Sequence, residues 1–196
     1  MFGYWVSAHH EALALWRFER QVRGHEVPLA LAFTAMGRAY VLGPLYALAI
    51  LLAIISPRWR VPALFAVTTG LLCWGAADLF QHVFARPRRA DWLVVHETAF
   101  SYPSSHATIA FGFYYVCGLL ALRSQLPTVW RYAFYIGLVL LTVGIMWSRL
   151  ALAAHYVTDI IGGLLLGEAI VWAAAAAVEL AGVDIFGQAL ASRQGR

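Results

Sequence analysis

Long apolar runs alternate with short polar segments along most of the 196-residue chain. Five of these runs approach the roughly 20 residues that an α-helix needs to cross a bilayer, and we predict spans at residues 39–55, 61–84, 105–122, 132–147 and 160–178. Short breaks separate them, such as the Pro57-Arg58-Trp59-Arg60 stretch and the loop around Pro127. The pattern predicts an all-α, polytopic transmembrane bundle of about five spans.

The N-terminal part of the chain has a different pattern. Residues 9–26 mix apolar side chains with Arg17, Arg20 and Arg23, which favours a helix lying in the membrane interface; a soluble linker is the alternative. No apolar core followed by a cleavage site is present here, so we predict no cleavable signal peptide. The resulting division is an interfacial segment at 1–30, a transmembrane domain at 31–182 and a C-terminal tail at 183–196.

Composition supports the membrane assignment. With 62% hydrophobic and 12% charged residues, the chain is too apolar for a soluble domain, and we predict an integral membrane protein. The net charge of +4 comes from arginines spread along the sequence, which gives no support for nucleic-acid binding. Cys73 and Cys117 lie inside apolar runs, so neither a disulfide framework nor a thiolate metal site is predicted. Arginine without lysine, together with abundant alanine, favours a bacterial source and hence the inner (cell) membrane.

Five crossings determine which segments share a side of the membrane. The N-terminus, residues 85–104 and residues 148–159 fall on one side. The other side carries an excess of arginine, which marks the cytoplasmic face; these residues are Arg58, Arg60, Arg123, Arg131, Arg193 and Arg196. The shared polar side is therefore expected to face outward, although the arginines of residues 9–26 favour the opposite orientation.

Residues 148–159 place three ionisable side chains between two apolar runs: Arg149, His155 and Asp159. Ionisable groups at membrane depth are costly and usually face a polar cavity, so they are a site hypothesis by default. A spacing of four residues puts His155 and Asp159 on one face of a helix, within reach of an imidazole–carboxylate hydrogen bond. That bond would leave the other ring nitrogen as a nucleophile or base.

Two more polar segments lie on the same side. Residues 81–89 read Gln-His-Val-Phe-Ala-Arg-Pro-Arg-Arg, and residues 102–106 read Tyr-Pro-Ser-Ser-His. With residues 148–159 they resemble the signature of the type 2 phosphatidic acid phosphatase superfamily, the lipid phosphate phosphatases: Lys-x6-Arg-Pro, Pro-Ser-Gly-His and Ser-Arg-x5-His-x3-Asp. The third part matches at every defined position and the second at three of four, with Ser105 in place of glycine. The resemblance covers residues 79–167.

The first part of the signature can be aligned in two ways. If Arg88 is the motif arginine, Gln81 stands at the lysine position and Arg89 replaces the proline. If the pair is Arg86 with its following proline, Leu79 falls at the lysine position, and a leucine cannot bind phosphate. We prefer the Arg88 alignment because the Gln81 amide can donate hydrogen bonds.

The resemblance implies a role for each catalytic residue. His155 would be the nucleophile that accepts the phosphoryl group as a phosphohistidine, and Asp159 would orient and stabilise it. His106 would protonate the leaving alkoxide and then activate water. Because phosphoryl transfer needs mainly positioning and charge stabilisation, we expect a metal-independent phosphatase with no cofactor.

The resemblance also implies a set of phosphate-binding residues. Arg88 and Arg149 have planar guanidinium groups that match phosphate oxygens in two-point contacts. Ser104 and Ser105 precede a predicted helix, whose free N–H groups and dipole favour an anion. Gln81 would add a neutral donor.

The expected function is hydrolysis of a phosphomonoester or diphosphate headgroup on a membrane lipid. Two alternatives remain open: a lipid phosphotransferase that uses the same site, and a catalytically weak relative that binds phospholipids. Substrate identity is also open, since phosphatidic acid, phosphatidylglycerol phosphate, a polyprenyl diphosphate and a lipid A phosphate would present similar oxygens. No particular oligomeric state is predicted.

Overall fold

The fold is a helical bundle that matches the predicted all-α class. A computed structural model of the chain describes residues 13–89, 92–93 and 99–185, and these contain helices but no strand. The helices are α1 (Leu13–Val22), α2 (Val27–Met36), α3 (Ala39–Ile55), α4 (Pro57–Phe84), α5 (Ser105–Arg123), α6 (Thr128–Ala151) and α7 (Val157–Leu180). Residues 1–12 and 186–196, which include parts of the predicted interfacial segment and tail, lie outside the described residues.

Within the described part of the chain, four helices are long and apolar enough to cross a membrane on their own: α4, α5, α6 and α7. A fifth crossing results if α2 and α3, which meet at a bend of 41°, form one span. The bend falls at Gly37 and Arg38, where Arg38 adopts an extended conformation before α3 begins. The predicted number of about five spans is confirmed, and α2 is an apolar helix that the predicted first span at 39–55 did not include.

Helix α2 packs against α6 near the polar end of the bundle. A Cβ atom at Gly144 would lie 2.4 Å from the Phe33 ring, so the two helices touch at a position where α6 has no side chain. One turn further along, the Thr34 and Ser148 hydroxyls are 2.9 Å apart and form a hydrogen bond. Hydroxyl pairs and small residues are typical contacts between membrane helices, and here they place Thr34 beside Arg149.

Helix α5 contacts α4 through backbone as well as side chains. The Thr69 hydroxyl of α4 donates to the Gly112 carbonyl at 2.7 Å. Gly112 lies in a π-helical segment, Ala110–Tyr115, and a Cβ atom there would lie 2.3 Å from the Cys73 sulfur. The extra residue of a π-turn offsets the carbonyls, which leaves the Gly112 carbonyl available to Thr69.

Two adjacent glycines bring α7 against the segment that precedes α5. A Cβ atom at Gly162 would lie 2.4 Å from the Tyr102 ring, and one at Gly163 would lie 2.6 Å from the Ser104 carbonyl oxygen. The Ser104 N–H in turn donates to the Asp159 carbonyl at 3.0 Å. The absence of side chains at these two positions therefore sets the distance between the second and third polar segments.

The N-terminal residues that the structure describes are attached to the polar end of the bundle. The Gly24 N–H donates to the Ala151 carbonyl at 2.8 Å, and Leu13, Trp16 and Phe18 of α1 are exposed. This contact places Gly24 beside the end of α6 that carries the third polar segment, and the common side predicted for the N-terminus itself stays a prediction. The predicted boundary at residue 30 falls within α2.

We expect Gly163→Ala to lower the thermal stability of the detergent-solubilised protein, because the added methyl group meets backbone that cannot move aside; overpacking of this kind costs about 1–3 kcal/mol. Gly137→Ala is the matched control, since a Cβ atom on that α6 glycine meets nothing within 4 Å and alanine is the better helix former. Melting curves followed by tryptophan fluorescence measure both. Equal melting temperatures for the two variants would contradict the close approach.

Candidate active site

Four helix ends meet at the polar end of the bundle: the ends of α4 and α6 and the beginnings of α5 and α7. The site residues predicted from the sequence all lie in this region. Six of them are buried, and Arg88 and Ser105 are half-buried; the buried ones are Gln81, Ser104, His106, Arg149, His155 and Asp159.

His155 lies in a loop between two helices. Helix α6 ends at Ala151 and α7 begins at Val157, so the predicted helical face shared by His155 and Asp159 is wrong. The loop folds back on α6, because the Ala154 and His155 N–H groups both donate to the Arg149 carbonyl, at 2.9 and 3.3 Å. The predicted hydrogen bond is nevertheless present, with His155 Nδ1 3.3 Å from Asp159 Oδ2. The start of α7 brings the two side chains together.

The Asp159 carboxylate is fully buried and is held by donors from three segments. Its Oδ1 accepts from Arg86 Nη1 at 2.6 Å, and its Oδ2 accepts from the Tyr156 N–H at 2.9 Å and from the Ser101 hydroxyl. A buried carboxylate is tolerated only with such partners. Asp159 is thereby fixed as an ionised acceptor for His155.

The contacts of His155 determine which ring nitrogen carries its proton. Arg88 Nη1 lies 3.1 Å from His155 Nε2, and because arginine can only donate, Nε2 must be the acceptor. The proton is then on Nδ1, where Asp159 accepts it. Burial, with smaller effects from the charges of Arg149 and Arg88, lowers the pKa of His155 to about 4, although Asp159 acts in the opposite direction. His155 is therefore neutral at neutral pH, with the lone pair of Nε2 directed at Arg88.

Arg149 of α6 is held in position by a residue of another helix. It is fully buried, and its Nη1 donates to the Thr34 hydroxyl of α2 at 2.9 Å. Sequence reasoning missed Thr34, and the only signal was a hydroxyl within an apolar run. Helix α2 therefore contributes directly to the position of a predicted phosphate-binding arginine.

His106 lies in the first turn of α5, as predicted, and its ring packs against the chain at the α2–α3 bend. A Cβ atom at Gly37 would lie 2.4 Å from His106 Cδ2. Neither ring nitrogen of His106 has a hydrogen-bond partner among the described residues, and the same is true of the Ser104 hydroxyl. Buried polar groups are normally paired, so these atoms are available to a polar ligand. His155 and three arginines are close enough to act electrostatically on this ring, namely Arg38, Arg88 and Arg149.

Arginine and histidine supply half of the eight predicted site residues: Arg88, His106, Arg149 and His155. Among residues 13–89, 92–93 and 99–185 there is no group of three or more His, Cys, Asp and Glu side chains arranged to hold a metal ion. Guanidinium groups, a neutral imidazole, and the ring and hydroxyl groups of His106 and Ser104 that have no partner among the described residues are suited to binding and transferring a phosphoryl group.

Comparison with known families agrees with this chemistry. The family model described as "PAP2 superfamily" matches residues 83–182, which is just over half of the chain and includes His106, His155 and Asp159. The chain belongs to the PAP2 superfamily. The predicted resemblance is confirmed, and the protein is a member of a family of membrane phosphatases.

One curated protein and one solved structure are similar to the chain. Phosphatidylglycerophosphatase B of Bacillus subtilis (strain 168) is 38% identical over 78 residues, which cover 38% of this chain. The match spans only 37% of the length of that relative. A crystal structure described as the first transmembrane PAP2 type phosphatidylglycerolphosphate phosphatase from Bacillus subtilis has a TM-score of 0.73 and 21% sequence identity, and covers 91% of this chain and 92% of that one. This likeness confirms the transmembrane fold.

The two possible alignments of the first PAP2 segment place two arginines at the site with different partners. Arg88 contacts His155, whereas Arg86 donates from Nη1 to both Asp159 and, at 2.8 Å, the Thr158 hydroxyl. Gln81 is buried and donates to the Pro103 carbonyl at 2.9 Å, while Leu79 is 60% exposed on the outside of α4. Position 81 thus faces the site and position 79 faces away. Sequence reasoning treated Arg86 only as an alternative phosphate ligand and did not identify its partner Asp159.

We expect His155 to stay neutral far below the usual imidazole range, because its burial disfavours the charged form. NMR titration of histidine-labelled protein in detergent, with the signal assigned through His155→Gln, should give a midpoint near 4. A blocked histidine peptide in the same buffer is the reference, at about 6.5. Since the lowered pKa keeps Nε2 unprotonated down to that midpoint, acid should disable this group only as the pH falls through about 4. A midpoint near that of the peptide would contradict the buried, neutral imidazole.

Proposed function

We propose that the protein is a membrane lipid phosphatase that hydrolyses a phosphomonoester or diphosphate headgroup through a phosphohistidine on His155. One observation carries the proposal: His155 Nε2 accepts a hydrogen bond from Arg88 while Nδ1 faces the buried Asp159. This arrangement directs a neutral lone pair at a group that binds phosphate. A phosphate bound by Arg88 would therefore lie within reach of the nucleophile.

In the first step, the Nε2 lone pair attacks phosphorus and the bond from phosphorus to the lipid oxygen breaks. That oxygen takes the bonding electron pair and a proton from His106, which must be protonated at this stage; the dianionic phosphate favours this form of the ring. As the P–N bond forms, positive charge develops on the His155 ring, and Asp159 stabilises it. Arg88 and Arg149 bind the phosphoryl oxygens.

In the second step, water attacks the phosphohistidine. His106, now neutral, accepts a proton from the water as the new P–O bond forms. The P–N bond breaks, and its electron pair returns to His155 Nε2. Inorganic phosphate leaves, and the next cycle can begin because His106 again carries a proton and His155 is again neutral.

The remaining predicted ligands would complete the phosphate site. Ser104 and Ser105 lie at the N-terminus of α5, where free N–H groups and the helix dipole favour an anion. Gln81 supports this turn through its bond to the Pro103 carbonyl. All the charge stabilisation in this scheme comes from protein side chains and backbone, so we propose that no metal takes part.

The lipid would reach this site from the membrane. The site lies at one end of the bundle. The other end carries four arginines near the opposite termini of α4, α5 and α6: Arg58, Arg60, Arg123 and Arg131. By the positive-inside tendency, the site faces away from the cytoplasm, and a bacterial inner membrane is the proposed location. The named activity of the Bacillus relative makes phosphatidylglycerol phosphate the first substrate to try.

Phosphate release by the purified protein in detergent tests the proposed function. The panel consists of phosphatidylglycerol phosphate, phosphatidic acid, a polyprenyl diphosphate and a lipid A phosphate. Steady release from at least one lipid supports a hydrolase. Release only when an acceptor lipid is added would indicate a phosphotransferase, and no turnover of any lipid would indicate a phospholipid-binding relative.

Replacing the proposed nucleophile should abolish turnover. We expect His155→Ala to be inactive and folded, because the scheme assigns the phosphoryl acceptor role to His155 alone. His106→Ala should lose about 10²–10⁴-fold and should recover partly with a substrate whose leaving group needs no proton. His82→Ala, at an exposed histidine of α4, is the control and should match the unaltered protein. Turnover in purified His155→Ala would refute the nucleophile assignment.

Activity should persist in a chelator and should be inhibited by vanadate. Vanadate adopts the five-coordinate geometry of the phosphoryl transition state, and analogues of this kind bind more tightly than substrates. Rates measured in EDTA with and without vanadate test both parts. Loss of activity in EDTA that a divalent cation restores would contradict the metal-independent scheme.

A further inference from the structure

Glu19 is an unusual residue for an amphipathic surface helix. Most of its neighbours on α1 are exposed, whereas Glu19 itself is only 2% exposed. A buried carboxylate is rare unless it is paired. The predicted interfacial segment therefore carries one acidic residue that faces the bundle.

The two oxygens of Glu19 bind two different segments of the site. Oε2 forms a salt bridge with Arg89 Nη1. Oε1 accepts a hydrogen bond from the Val157 N–H at 2.7 Å. Arg89 also lies 5.4 Å from the centroid of the Tyr156 ring, so its guanidinium is held between Glu19 and the loop that precedes α7.

Each of these two partners adjoins a catalytic group. Arg89 follows Arg88, whose Nη1 contacts His155 Nε2. Val157 is the first residue of α7, two positions after His155 and two before Asp159. A carboxylate beside the first N–H of a helix is also favoured by the helix dipole. Glu19 thus joins the segment that carries the phosphate-binding arginine to the segment that carries the nucleophile.

We propose that Glu19 is a positioning residue for the reaction: by holding Arg89 and the beginning of α7 together, it keeps Arg88 in line with His155. Helix α1 is then part of the catalytic apparatus as well as a membrane-surface segment. This inference rests on the proposed function, since it concerns the geometry of the same phosphoryl transfer.

The physical consequence of removing Glu19 follows from its burial. Replacement by glutamine keeps an acceptor for the Val157 N–H, but it exchanges the carboxylate that faces the Arg89 guanidinium for a neutral amide, and the charge-assisted bond is roughly twice as strong as a neutral one. Arg89 should shift to find another partner, and Arg88 should move with it. A displacement of about 1 Å in a catalytic group can reduce the rate about 10²-fold.

The test is a double-mutant cycle with Glu19→Gln, Arg89→Gln and the double variant, all in the full chain. Glu26→Gln is the matched control, because Glu26 is an exposed acidic residue just before α2. kcat, KM and the vanadate inhibition constant are measured on monodisperse protein, well below each variant's melting temperature. The vanadate inhibition constant reports the geometry of Arg88 and His155. A loss of folded protein would not change this constant.

We expect Glu19→Gln and Arg89→Gln each to lower kcat by about ten- to a hundredfold and to weaken vanadate inhibition by a similar factor, with a smaller change in KM. The double variant should be more active than either single one, because two amides can hydrogen-bond to each other and restore the spacing. Glu26→Gln should match the unaltered protein in all three constants.

Two results would overturn the inference. One is a folded Glu19→Gln with unaltered kcat and vanadate constant; the other is additive losses in the double variant, which would show that the two side chains act separately. If Glu19→Gln fails to fold, the comparison of Arg89→Gln with the double variant decides: a double variant at least as active as Arg89→Gln supports the coupling, and a less active one contradicts it. Failure of the proposed function is a separate outcome, since the unaltered protein would then release no phosphate from any lipid.

Discussion

The buried Asp159 carboxylate is the group on which the arrangement of the site depends. Removing a charge of this kind from water has an effective penalty of several kcal/mol, and the fold offsets it with donors from separate parts of the chain: Arg86, Ser101 and the Tyr156 N–H. Because each donor belongs to a segment that also carries a site residue, satisfying the carboxylate brings these segments together. The same carboxylate then selects the tautomer of His155. One set of contacts therefore both stabilises the buried charge of Asp159 and orients the His155 ring.

Much of the fold and the composition of the site could be predicted from the sequence, because both rest on local signals. Apolar runs interrupted by Arg149, His155 and Asp159 indicate spans and a polar site whatever the packing, and the three-part motif identifies the family. The conformation of residues 152–156 was harder to predict. Residues 155 and 159 come together either on one face of a continuous helix or across the start of a helix that follows a loop. Only the turn in which the backbone donates to the Arg149 carbonyl distinguishes these two conformations.

Other contacts had little or no signal in the sequence because they depend on how closely helices approach. Glycines are common in membrane helices, and nothing local distinguishes Gly163, which lies against the Ser104 carbonyl, from Gly137, which has open space around it. Likewise, Arg86 and Arg88 are two residues apart and chemically identical, so the sequence does not distinguish them. Their contacts in the structure show that Arg86 binds Asp159 and Arg88 binds His155. Nothing in the pattern of residues 9–26 distinguishes Glu19, which is buried, from a solvated charge on a surface helix.

The arginines of the site differ in the partners that hold them, and this difference fits their proposed roles. Arg86 and Arg89 donate to buried carboxylates, Asp159 and Glu19, and such charge-assisted bonds hold the guanidinium in one place. Contacts of Arg88 and Arg149 include the neutral acceptors His155 and Thr34. A phosphate oxygen is a stronger acceptor than an imidazole or a hydroxyl, so a lipid phosphate can bind Arg88 and Arg149 in place of these acceptors. Arg86 and Arg89 meanwhile stay bound to their carboxylates and keep the surrounding segments in position. In the proposed mechanism, Arg88 would turn to the phosphate and release the lone pair of His155 that it occupies, so that binding of the headgroup would activate the proposed nucleophile.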